Sequence, residues 1–181
     1  NSTATTLFDA TFYVLTSDRN VYKCLDNDGN TASTVEPTGT STSVITTGDG
    51  YKWKYMYTLS AAQQSNFLST DFMAVATNST VSSAAVDGAL DTVKIKTAGS
   101  SYTVSGGGTS GTITAVPIRG DGSGGVCSVT LTSGAVTAVT VTTAGTGYTS
   151  GYIRNADIIA ATNAGGAGSG AELDVIIPPK G

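Results

Sequence analysis

Two blocks of this chain repeat one another in register, and that repeat limits the possible fold more than any other feature. Gly88-Ala89-Leu90-Asp91-Thr92-Val93-Lys94-Ile95-Lys96-Thr97-Ala98-Gly99-Ser100-Ser101-Tyr102-Thr103 aligns with Gly134-Ala135-Val136-Thr137-Ala138-Val139-Thr140-Val141-Thr142-Thr143-Ala144-Gly145-Thr146-Gly147-Tyr148-Thr149, an offset of 46 residues. The same offset lays Gly120-Asp121-Gly122-Ser123-Gly124-Gly125 on Gly166-Ala167-Gly168-Ser169-Gly170-Ala171, and Val129 on Val175. Two separate blocks keeping one register define two copies of a unit, 87–132 and 133–178. Each copy reads as an alternating strand, a turn with a Gly and a Tyr, and a second strand (112–118 and 158–161). A Gly-rich turn and a last strand (126–132 and 172–177) complete it. Pairing the two copies, edge to edge or face to face, gives a compact β module. Tyr102 and Tyr148 are expected to cover the ends of its core as structural anchors.

The first 80 residues have a different texture. Gly48-Asp49-Gly50 forms a turn into Tyr51-Lys52-Trp53-Lys54-Tyr55-Met56-Tyr57, where aromatic residues alternate with Lys and Met. Period-two alternation puts Tyr51, Trp53, Tyr55 and Tyr57 on one face of a strand. Aromatic side chains favour strands and carry large apolar area, so Trp53, Tyr51 and Tyr55 are expected as core anchors. Segments 8–15, 20–26 and 71–76 also read as strands. Ser60-Ala61-Ala62-Gln63 is a capping-box pattern and predicts one short helix over 61–67. Residues 31–47 form a Thr/Ser-rich loop. The texture changes near 78–86, so the expectation is an all-β chain. It comprises a β-sandwich-like domain with one short helix (1–80), followed by the tandem β-repeat module (81–181).

Composition narrows function mainly by exclusion. Only 12% of residues are charged, against roughly 25% in an average soluble protein. Thr, Ser, Gly and Ala fill the difference, and abundant Val, Ile and Thr oppose disorder. The net charge is −4 and the nine basic residues are scattered, which argues against a nucleic-acid surface. No apolar run reaches spanning length and no basic-plus-apolar leader is present, so membrane insertion is not expected. Cys24 and Cys127 form neither a disulfide framework nor a zinc site; each is expected as a buried small hydrophobe, which suits a reducing compartment. Two Asn-x-Ser/Thr matches, at Asn1 and Asn78, arise easily in so Ser/Thr-rich a chain.

The chain contains no histidine, which removes triads and histidine-based acid–base schemes. Paired carboxylates remain the one hydrolytic option, yet Asp26, Asp28, Asp49 and Asp121 sit in turns, where Asp is favoured for its own backbone bonds. Asp26-Asn27-Asp28-Gly29-Asn30 begins like a calcium loop, but Pro37 stands where an EF-hand needs its twelfth-position Glu. Gly120-Asp121-Gly122-Ser123-Gly124-Gly125 lacks the Lys-Ser/Thr and the helix of a phosphate loop; it reads as a flexible hairpin connection. Neither enzyme activity nor a cofactor is expected.

Val21-Tyr22-Lys23-Cys24-Leu25-Asp26, then Glu36-Pro37, then Gly48-Asp49-Gly50-Tyr51-Lys52-Trp53-Lys54-Tyr55-Met56 resemble, in that order, the baseplate wedge proteins of T-even-like contractile-tailed bacteriophages. The resemblance covers about residues 12–75, with 71–75 where that family has a further strand. The Gly/Tyr repeats are similar in composition to modules in structural proteins of marine relatives of these phages. The resemblance implies an internal piece of a larger virion protein, a non-enzymatic subunit of the tail baseplate assembled in the host cytoplasm. It further implies a homodimer and contacts with other baseplate wedge proteins; the 31–47 loop and the repeat surfaces are the expected contact surfaces. The alternative is a carbohydrate- or host-surface-binding module of a tail fibre or adhesin, motivated by the tandem Gly/Tyr repeat and by the aromatic strand, whose rings would serve as a sugar-binding platform. A calcium-stabilised extracellular repeat is a third reading.

Overall fold

A computed structural model describes residues 12–162 and 168–177. Strands account for 40% and helices for 14%, with three antiparallel sheets, so the chain is an all-β fold. It divides between Ala85 and Val86 into two units, each with its own core.

The first unit is built on one sheet of β1 (Tyr13–Leu15), β2 (Asn20–Asp26), β3 (Ile45–Thr46) and β4 (Lys52–Thr58), in the order β1-β2-β4-β3. The expected strand over 8–15 is described only from residue 12. β2 and β4 are apolar or aromatic at alternate positions and form the buried centre, with Trp53, Tyr22 and Val21 at most 1% exposed. Their ladder shifts register between Val21 and Tyr22: Tyr22 pairs with Tyr55, but Val21 pairs with Tyr57. Met56 is therefore an extra residue, a β-bulge. Neighbouring residues on a strand point to opposite faces and directly opposed residues share a face. The bulge thus moves Tyr57 away from the other three rings. Tyr22, Cys24, Tyr51, Trp53 and Tyr55 form one cluster; Val21, Tyr57 and Leu59 form another. Alternation alone put all four rings together, and the bulge corrects that.

Irregular chain covers the faces, where a sandwich has a second sheet. α1 (Ala61–Phe67) falls where the capping box predicts: Ser60 Oγ accepts from the Gln63 N–H at 3.2 Å and Gln63 Oε1 from the Ser60 N–H at 2.8 Å. An additional helix, α2 (Ser79–Ala84), is capped by Asn78, whose Oδ1 accepts from the Thr80 and Val81 N–H groups. The strand expected over 71–76 is not formed. Met73, Ala74 and Ala76 instead pack on the Val21–Tyr57–Leu59 cluster, and the Tyr57 hydroxyl donates to the Ala74 carbonyl at 3.1 Å. These side-chain contacts hold the segment over a sheet face, away from a sheet edge.

The second unit contains both copies of the repeat. In the first copy β5 (Thr92–Ser100) is followed by β6 (Gly111–Pro117), β7 (Arg119–Gly120) and β8 (Val126–Thr132). In the second, β9 (Ala135–Thr143) is followed by β10 (Gly151–Tyr152), α3 (Asn155–Ala161) and β11 (Ser169–Ile176). The sheets are β5-β11-β10-β7 and β6-β8-β9, and side chains from both meet in one core with Val93, Val116, Cys127 and Val129 at most 1% exposed. The second copy's expected strand over 158–161 is helix. Asn155-Ala156-Asp157-Ile158-Ile159-Ala160-Ala161 has three alanines, the best helix former, where the first copy has Thr112-Ile113-Thr114-Ala115-Val116.

The copies finish each other. In the β8–β9 hairpin, Val129 pairs with Val139 and Cys127 with Val141. In β5–β11, Val175 pairs with Val93 and Leu173 with Ile95, each residue 46 positions from its counterpart and in the opposite copy. Even the bulges correspond, at Val126/Cys127 and at Glu172/Leu173. The Ser123–Thr146 bridge is matched by Ser169 paired with Ser100. The tyrosines obey the same exchange. The Tyr148 N–H donates to the Gly88 carbonyl at 3.2 Å and its hydroxyl accepts from the Gly125 N–H at 3.0 Å. The Tyr102 N–H donates to Gly134 at 3.0 Å and its hydroxyl accepts from Ala171 at 3.1 Å. Gly145 and Gly99 have φ of 61° and 65°, and a Cβ on either would lie 2.6 Å from the carbonyl oxygen of Ser123 or Ser169.

Gly99→Ala and Gly145→Ala are expected to destabilise the second unit by similar amounts, each about 2 kcal/mol from the left-handed backbone plus the overlap. Urea unfolding followed by far-UV circular dichroism measures both. One severe and one neutral variant would contradict the exchange.

Candidate functional site

The Gly48-Asp49-Gly50 turn and the aromatic strand that follows it build one ordered surface, the 31–47 loop. The Gly50 N–H donates to the Thr47 carbonyl and the Thr47 N–H to Tyr51, both at 3.0 Å, which closes the turn. Asp49 then reaches across to the loop. Its Oδ2 accepts from the Ser33 hydroxyl (2.9 Å) and from the Thr34 and Val35 N–H groups (2.8 and 3.0 Å). Its Oδ1 accepts from the Thr47 hydroxyl at 2.5 Å. Four donors stabilise the charged carboxylate, with the Thr47 hydroxyl as the largest influence, and hold Asp49 well below the usual carboxylate range.

The aromatic strand fastens the same loop from beneath. The Tyr51 hydroxyl donates to the Thr31 carbonyl, Trp53 Nε1 to the Thr47 hydroxyl at 3.3 Å, and the Tyr22 hydroxyl to the Gly39 carbonyl at 2.6 Å. Glu36 accepts from the N–H and hydroxyl of Ser17 at 2.7 and 3.0 Å, and Pro37 is buried. The loop is thus pinned at 31, 33–36, 39 and 47. It leaves Thr38, Thr40, Ser41 and Ser43 facing solvent beside Val35, which is 41% exposed. This is a preformed, hydroxyl-rich surface whose one charged side chain, Glu36, is engaged with Ser17.

The named anchors lie in two places. Tyr51, Trp53 and Tyr55 share the first unit's core, with Tyr51 and Trp53 stacked at 5.4 Å between ring centroids. Tyr102 and Tyr148 lie in the second unit's core, and all five are at most 7% exposed. None is presented as a ligand-stacking platform.

The carboxylates are engaged in structure. Asp26 accepts from the Asp28 N–H at 3.2 Å and lies 3.8 Å from Lys52 Nζ. Asn27 donates to Asn30 across a 3₁₀ turn, Asp28–Asn30. Among the described residues no three acidic or cysteine side chains converge on a point that could hold a metal. The Gly120–Gly125 connection, read as flexible, is clamped: Asp121 Oδ1 accepts from the Thr149 and Ser150 N–H groups at 2.9 Å, and its Oδ2 accepts from the Thr149 hydroxyl. Those bonds keep Asp121 well below the ordinary carboxylate range, the Thr149 hydroxyl contributing most. Cys24 and Cys127 are buried thiols, and burial pushes Cys127 up to about 11. No described helix is long and apolar enough to cross a membrane.

One cluster has no counterpart in the sequence reading. Asp157, buried at the start of α3, takes two bonds from Arg119 (3.2 and 2.9 Å) and two from Arg154 (2.9 and 3.1 Å). The bond from Arg119, then that from Arg154, holds its carboxyl well below the usual range. Arg154 and Asp157 are three apart, a helical spacing; reading that segment as helix was the missing signal.

Trp53→Ala is expected to cost about 3–5 kcal/mol through the cavity it leaves, measured by chemical unfolding against Trp53→Phe. Asp49, Asp121 and Asp157 all ionise more readily folded than unfolded. Their contribution is complete above the unfolded carboxylate value of about 3.9 and is lost as pH falls below it toward the folded values. Melting temperature should therefore be flat above about pH 5 and drop below about pH 4. Asp157→Asn should make that drop shallower, because one of the three linked protons is gone. No protein-family model, curated protein or solved structure matches this chain.

Proposed function

We propose that this chain is a structural subunit of a bacteriophage tail baseplate wedge, resident in the virion and acting through protein–protein contacts with other wedge proteins. The carrying observation is the use made of Gly48-Asp49-Gly50-Tyr51-Lys52-Trp53. The segment with the closest resemblance to those proteins has Asp49, Tyr51 and Trp53 all bonded to the 31–47 loop, which it holds ready as a surface. A partner docking there meets a backbone already ordered, so little conformational entropy is lost on association. The low charge of that surface suits a permanent contact in which few ions are desolvated. Homodimerisation and assembly in the host cytoplasm belong to the same reading.

The test is a cryo-EM map of the assembled baseplate from the phage that carries this chain. Density for the chain in the wedge with residues 31–47 buried against a neighbour is the expected result. Full solvent exposure of that loop in the assembly would sink the proposal. Specific, saturable sugar binding by the chain on a glycan array would transfer support to the host-surface-binding reading.

A further inference from the structure

The stretch 60–77 has several features of an interface. α1 buries none of its residues. Phe67 (62% exposed), Leu68 (36%), Phe72 (75%) and Val75 (84%) lie on either side of a tight turn, in which the Ser69 N–H donates to the Phe72 carbonyl at 2.9 Å. Ser69 Oγ accepts from the Asp71 and Phe72 N–H groups at 3.3 and 3.1 Å. Beyond the turn the chain has strand composition but no strand partner among the described residues. Among the described residues, the N–H groups of Met73, Ala74, Val75 and Ala76 have no acceptor, and the Tyr57–Ala74 bond uses the only engaged carbonyl of those four. Met73, Ala74 and Ala76 rest on the core, so the segment is supported from one side.

We infer that residues 71–76 are a docking strand, completed by an extended, uncharged and apolar segment of another protein. Three observations select that occupant. A row of vacant N–H and C=O groups is satisfied by a strand, which presents both at matching intervals, the same backbone pairing that strand addition makes at a sheet edge. Residues 60–77 carry a single charged side chain, Asp71, so nothing there matches a polyanion or a charged headgroup. The exposed apolar side chains amount to roughly 400 Å², scaled from about 200 Å² for an aromatic side chain. A stable dimer buries about 800 Å² on each partner. A second copy laid on this patch alone falls short of that, whereas an inserted strand adds its backbone bonds to the apolar contact. The inference concerns a surface separate from the 31–47 loop and stands without the baseplate assignment.

Hydrogen exchange on the full chain tests it, with the acetylated and amidated peptide Thr-Val-Thr-Val-Thr-Val as probe. Without peptide, the amides of residues 73–76 should exchange at near-unprotected rates. Saturating peptide should slow them about tenfold or more, with 1:1 stoichiometry by calorimetry. Val75→Pro, which removes one ladder donor at an exposed site, and Phe72→Ser should each abolish the slowing while the melting temperature stays within about 2 °C of the parent. Three results would overturn the inference. The amides could be protected without peptide at low concentration, meaning the segment is paired within the chain. Protection could rise with protein concentration alongside a dimer mass in light scattering, making a second copy the occupant. The peptide could leave the exchange rates of these amides unchanged.

Discussion

The second unit depends on a tyrosine of each copy lodging against the backbone of the other. Tyr148 donates through its hydroxyl to the Ile118 carbonyl at 2.9 Å and accepts from Gly125, while its ring lies over Gly122, where a Cβ would come within 2.4 Å of Cγ. Tyr102 sits in the same way over Gly168 and accepts from Ala171. A buried hydroxyl without partners costs about 1–3 kcal/mol, so each ring fits only where the opposite copy supplies both a glycine and a backbone donor. Gly99, Gly120, Gly122, Gly125, Gly145 and Gly168 follow from this fit, since the rings occupy the space that side chains would need.

Where the exchange symmetry fails, the failure is compensated locally. The first copy answers the Tyr148 hydroxyl with the Ile118 carbonyl; the second answers Tyr102 with the side chain of Asn155, which also donates to Gly168 at 2.9 Å. That substitution requires α3 in place of a strand. α3 then brings Asp157 into a buried position, where two arginines neutralise it. A buried carboxylate without such partners would be costly. The helix, the asparagine and the arginine pair therefore form one linked departure from the repeat.

Much of this was legible in the residues, for identifiable reasons. β2 and α1 were readable because alternation and a capping box are local signals that burial does not override. The copies' equivalence was readable from spacing, but their exchange of strands was not, since a one-dimensional alignment cannot say whether Val175 pairs within its own copy or with Val93 of the other. Tyr57 was misplaced because a bulge inserts one residue without any sequence mark stronger than Met56. The strand expected at 71–76 has the right composition but no strand partner among the described residues, and composition cannot report a missing neighbour. The loop surface was recognised as a loop; its rigidity was hidden because Asp49 acts on residues 14–16 positions away.

The pairing of Thr92 with Ile176 has a consequence for synthesis. The first strand of the module finds its partner only when the last one has left the ribosome. Until then the first copy emerges with Val93 and Ile95 uncovered and Tyr102 without its glycine. Contacts so distant in sequence form slowly, and apolar strands left waiting are prone to pair with the wrong neighbour. Thr92, Lys94 and Lys96, which alternate with Val93 and Ile95 on β5, give that waiting strand one polar face. Nascent chains crowded on one message face the further hazard that the last strand of one closes on the first strand of the next.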